Sequence, residues 1–120
     1  MSRSRGAIAD QTKALELNPK HWWTWARRGA GYSVLKQWDK ALADYTQAIG
    51  LGATEPYVWV AKAAAHTQLS QPEKAMAELR QAVAKGFRDA NQLKNRSDLA
   101  GLRSREDFKQ LVAGLGAKKQ

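Results

Sequence analysis

The sequence predicts an all-α fold: a short α-solenoid of helix-turn-helix repeats closed by an irregular helical cap. Three observations carry that expectation. Trp25 recurs as Trp59, Ala41 as Ala75 and Ala48 as Ala82, each pair 34 residues apart, and a fixed period of this length marks stacked supersecondary units. Within a unit the apolar residues follow helical spacing. Between units stand residues that start and stop helices.

Residues 5–20 form an opening helix. Stepping back one period from Ala41 and Ala48 lands on Ala7 and Ala14, so this segment reads as the second helix of a partial unit that lacks its first. Residues 22–55 form the first whole unit. Trp22, Trp25, Gly29 and Tyr32 lie three or four residues apart and share one helical stripe, as do Trp38, Ala41, Leu42, Tyr45, Ala48 and Ile49. Residues 56–89 repeat the pattern. Pro56 suits a first helical turn, Ser70 with Glu73 has capping-box spacing, and Gly86 suits a left-handed stop. Small residues at Gly29, Ala41, Ala48, Ala63, Ala75 and Ala82 let helix axes approach. Trp25, Tyr32, Tyr45, Trp59 and Leu79 then fill the gaps, each worth about 1.5–3 kcal/mol if fully buried. One hairpin cannot cover its own apolar face, so the units must stack.

Residues 90–120 lose the side-chain period: Leu93 takes the place of the next Trp, but no Gly and Tyr follow. Ser97 and Ser104 are candidate N-caps, Asp107 completing a capping-box spacing with the latter. Leu93, Leu99, Leu102, Phe108, Leu111, Val112 and Leu115 are suited to lie over the last repeat helix.

The order Trp25, Gly29, Tyr32, Ala41, Tyr45, Ala48, followed by Trp59, Ala63, Ala75, Leu79 and Ala82, resembles the tetratricopeptide repeat (TPR). The likeness covers roughly residues 5–89 and places the whole chain, 1–120, in one TPR-like domain. Arg28 and Lys62 stand where that family usually has leucine, His66 replaces its tyrosine and Ala53 its terminal proline. The aliphatic stems of Arg28 and Lys62 suit partial burial with the charge reaching water. More loosely, "GFRDANQLKNRSDLAGLRSREDF" resembles a segment closing TPR arrays in some large bacterial proteins, which implies a bacterial type of protein and says nothing about catalysis.

Composition narrows the function. The chain has 120 residues, the size of one domain, and no cysteine, which removes disulfides and thiol chemistry. No apolar run spans a bilayer and the first residues lack a signal-peptide core, so no membrane insertion and a cytoplasmic location are expected. The net charge of +9 is split as +4 over residues 1–35, zero over 36–80 and +5 over 81–120. No phosphate-binding loop, metalloprotease or nucleophile-elbow motif is present. His21 and His66 lie 45 residues apart with no evident carboxylate partner, and the adjacent Glu106 and Asp107 suit helix-dipole compensation. The expectation is a non-catalytic protein with no cofactor and no metal.

Binding remains. With Trp25, Gly29 and Tyr32 turned inward, the flank of Trp23, Ala26, Arg27, Ala30, Ser33 and Val34 faces a concave groove. One period later it becomes Tyr57, Val60, Ala64, Thr67 and Gln68. Trp22 is assigned to stapling the preceding loop. Trp23 is the recognition candidate, with Arg27 a turn away and in reach of a cation–π contact. TPR proteins that grip a peptide carboxylate use Lys, Asn and Arg at positions held here by Ala26, Ala30, Val60, Ala61 and Ala64, so the resemblance implies an apolar or aromatic peptide or partner subunit instead. A competing expectation is a nucleic-acid or polyanion binder using Arg3, Arg5, Lys13, Arg27 and Arg28 with the basic tail. A third is a piece of a longer TPR array. The exposed opening helix also offers a surface for self-association.

Overall fold

The computed structural model describes residues 3–117, with side chains to residue 115. Within it the chain forms seven α-helices and one 3-10 helix and no strand: α1 (Arg3–Leu17), α2 (Trp22–Val34), α3 (Trp38–Gly50), α4 (Tyr57–Gln68), α5 (Pro72–Ala84), α6 (Ala90–Asn95), the 3-10 helix Ser97–Leu102 and α7 (Glu106–Ala117). None is long and apolar enough to cross a membrane. Consecutive helices pack as neighbours from α1 to α5, α2 also touches α4, the 3-10 helix covers α4, and α7 leans on α5 and α6. The molecule is elongated, 44 × 26 × 22 Å.

The turns are set by four left-handed residues. Lys36 and Ser70, at φ 59° and 61°, end α2 and α4, while Gly52 and Gly86, at φ 95° and 110°, end α3 and α5. After each, the next N–H reaches back five residues: Gln37 to Tyr32 O, Ala53 to Ala48 O, Gln71 to His66 O and Phe87 to Ala82 O. This is the Schellman closure, which satisfies carbonyls that a helix end leaves open. Ser70 is therefore a helix stop. The capping box expected of it with Glu73 does not form, because its left-handed backbone belongs to the turn and Gln71 takes the N-cap position without a side-chain bond.

In the tail, helix boundaries keep the interval that the side chains abandon. The starts of α3, α5 and α7 at Trp38, Pro72 and Glu106 are 34 residues apart, and so are the ends of α2, α4 and the 3-10 helix at Val34, Gln68 and Leu102. The anticipated serine caps do not appear. Ser97 lies inside the 3-10 helix behind Arg96, and α7 begins two residues after Ser104. Instead Asp89 caps α6, accepting the Gln92 N–H at 3.0 Å, and Asp107 receives the Arg105 guanidinium at 3.0 Å.

Packing follows size. Ala41, Ala48, Ala63, Ala75 and Ala82 are buried among Tyr45, Trp59, Met76 and Leu79. A Cβ on Gly29 would sit 2.8 Å from the Tyr45 ring, so only glycine admits this contact. Trp25 departs from the expectation of a core residue. It is half-buried against the core, its indole N–H donates to Pro19 O at 2.8 Å and the Arg28 guanidinium lies 5.2 Å from its ring. Its repeat counterpart Trp59 is buried.

Candidate functional site

Charges inside the helical pairs come first, since they decide which cations are left to bind anything. Arg28 on α2 grips Asp44 on α3 with two hydrogen bonds of 2.8 Å, and Asp44 is buried. Beside Asp44, the guanidinium is held even more firmly protonated than usual, burial opposing only in part. One period on, Lys62 of α4 stands 3.5 Å from Glu78 of α5. The buried His66 also meets Glu78, Nδ1 to Oε1 at 2.6 Å. The carboxylate partner that the sequence did not suggest for His66 is thus across the hairpin, twelve positions away. Arg28 bonds Thr12 as well, so its guanidinium is engaged within the fold by Asp44 and Thr12.

Between α2, α4 and the start of the 3-10 helix lies a hollow of about 610 Å³. The buried Ala26 and Ala61 form its floor with Tyr45, whose hydroxyl is 3.2 Å from Ser33 Oγ, and the exposed Ala30 lines it beside them. Burial raises the Tyr45 phenol above its ordinary range, the Ser33 bond opposing. Val34 and Tyr57 rise at the rim, 70% and 45% exposed. The far end is polar and closed. Arg96 forks onto Asp98 at 2.8 Å, which holds the guanidinium protonated, and the Gln68 amide donates to Asp98 O at 3.0 Å.

Of the residues expected to line a groove, the hollow brings together Ala26, Ala30, Ser33, Val34, Tyr57 and Gln68. Val60 and Ala64, 0% and 1% exposed, are not part of its lining. The 3-10 helix covers that flank of α4, with Gly101 close against Thr67, so Ala61 faces the hollow in their place. Trp23 is 43% exposed and lies outside the lining. It stacks on His21 at 4.4 Å and meets Trp22 edge-on at 5.9 Å, which replaces the expected contact with Arg27. Arg27 is exposed, near enough to Tyr57 for its charge to pull the phenol down against the stronger upward push of burial.

Lys36, Trp38, Arg96, Ser97 and Asp98 also line the hollow and were missed, whereas Ala61 was named only by its match to the carboxylate-gripping positions. One signal was available: Arg28, Lys62 and Arg96 follow the 34-residue step. On α1, Ala7 and Ala14 are exposed where Ala41 and Ala48 are buried, so the face considered for self-association is open. No family model matches the chain, and no curated protein matches it.

Proposed function

We propose that this chain is a non-catalytic protein-interaction module, a short TPR-like array whose first helices present a hollow to a peptide from a partner protein. One observation carries the reading: alanines floor a recess of about 610 Å³ while Val34 and Tyr57 stand exposed at its rim. Solvated large apolar side chains around a concavity are the usual anchor of a peptide groove. The recess is uncharged along its floor, the arginine at its end is already neutralised by Asp98, and the exposed Lys36 adds a single cation to the lining. An extended or helical segment with an apolar or aromatic anchor matches this chemistry better than a segment whose binding depends on a carboxylate. Trp23, exposed on the same helix, is an additional contact for a longer segment.

The test uses peptides selected against the full chain from a random display library. Replacing Ala30 with Trp fills the recess, and Tyr57→Ala removes a wall; both positions are exposed, so the helical circular-dichroism spectrum should persist. Each variant is expected to weaken the selected peptides about tenfold or more, in the range of a lost interface anchor. Equal affinity for wild type and Ala30→Trp would refute the groove. Affinity that instead collapses with added salt on nucleic acid would favour the polyanion reading.

A further inference from the structure

A second hollow, of about 440 Å³ and lined by different residues, lies in the cap. Its apolar lining is Phe108 and Val112, one turn apart on α7, with Ala113 beside Val112. Its rim is cationic, with Lys94 from α6, Arg103 from the end of the 3-10 helix and Lys109 from α7, all exposed. None of the residues lining it is acidic. Three of the cap's carboxylates are engaged elsewhere: Asp89 caps α6, Asp98 is forked by Arg96, and Asp107 is held by Arg105. Glu106, exposed and three positions before Lys109 on α7, is the remaining acidic side chain of the cap, so the three cations around the apolar recess outnumber the acid left near them.

From this charge pattern we infer that the cap carries a second binding site, distinct from the groove between α2 and α4, whose ligand is an acidic peptide segment: an apolar side chain flanked by Asp or Glu. The apolar side chain fills the recess over Val112 and Phe108, and the flanking carboxylates pair with Lys94, Arg103 and Lys109. Shape selects the peptide over a membrane surface. Peripheral membrane binding needs apolar groups that protrude into the acyl region, whereas here Phe108 is 3% exposed and sits at the bottom of a depression. A free acyl chain fits less well too, because Ala113 is exposed and Val112 half-buried, which leaves the depression open along one side. One side chain is covered there; a long chain is not.

The experiment measures anisotropy of a fluorescein-labelled peptide with a single phenylalanine between glutamates, titrated with the full chain. Its Glu→Gln counterpart and phosphatidylglycerol vesicles form the other arms. Protein variants are K94E/K109E, which reverses two rim charges, Ala113→Trp, which fills the recess, and Ala30→Trp in the other hollow. Circular dichroism confirms that each is folded. Arg103 is left intact because it also donates to Arg96 O at 3.1 Å. The acidic peptide is expected to lose about tenfold or more in affinity on K94E/K109E and on Ala113→Trp, and to weaken with salt, as charge pairs at an interface rim do. Ala30→Trp should leave it unchanged, and the Gln peptide should bind poorly. Binding that survives K94E/K109E, or equal binding of the Gln peptide, overturns the inference. So does loss on Ala30→Trp, or vesicle binding sensitive to charge reversal while the peptide fails to bind. Failure here leaves the α2–α4 groove unaffected, since that groove is read out by Ala30→Trp and Tyr57→Ala.

Discussion

Tyr45 shows how one residue ties packing to pH. Its ring presses on Gly29, its hydroxyl meets Ser33, and burial pushes its phenol up. A raised folded-state value means that the folded protein holds this proton more tightly than the unfolded chain does. The associated stability is therefore whole below the unfolded value of about 10 and declines as pH rises through the folded one. Urea midpoints are expected to fall from pH 9 toward pH 11 in the wild type. Tyr45→Phe, with no proton to lose, should start lower by the Ser33 bond, about 1 kcal/mol, and decline less steeply. Parallel declines would place the titration elsewhere. Helical spacing identified Tyr45 as a packing residue. The bond to Ser33 was not legible, because it depends on the rotation of α3 against α2.

At the scale of the helical pair, the informative feature is the ion pair joining the two halves of each hairpin. Arg28 with Asp44 and Lys62 with Glu78 occupy equivalent places. In the sequence Arg28 and Lys62 read only as replacements for leucine with stems suited to partial burial. Their partners lie sixteen positions on, beyond the reach of any pattern within one helix, and only the turn at Lys36 or Ser70 folds them together. Asp44→Ala should strand Arg28 and destabilise the protein on the order of 3 kcal/mol, the cost of breaking a buried pair from one side. Arg28→Met combined with Asp44→Leu should recover most of that loss, since an apolar pair of similar volume removes both desolvation penalties. A double-mutant cycle by urea denaturation measures the coupling. Additive losses would mean that the two side chains do not stabilise each other. The same reasoning explains His66, whose partner Glu78 becomes visible only across the α4–α5 turn.

For the molecule as a whole, the cap supplies the cover that α4 lacks. Val60, Ala64, Leu93, Leu99 and Leu102 are buried in one cluster with Phe108 and Leu115. Ending the chain after Gly86 strips away α6, the 3-10 helix and α7. Several buried side chains, each worth about 1.5–3 kcal/mol, then face water. The truncated protein is expected to melt lower by roughly 10 °C or more and to bind a hydrophobic dye that the whole chain ignores. An unchanged melting temperature would show that the cap contributes no cover.

The sequence by itself determined the helical class, the 34-residue step, the alanines that let helices approach and the glycine stop at Gly86, because each follows from spacing along one chain segment or from the backbone freedom of a single residue. Only the tertiary structure decided that Ser70 ends a helix rather than starting one, that Arg28 and His66 have buried carboxylate partners, and that Val60 and Ala64 face the cap while Ala61 faces the hollow. Those outcomes depend on how one helix is rotated and set against another. Contacts between elements far apart in sequence fix that rotation, and no local pattern records it.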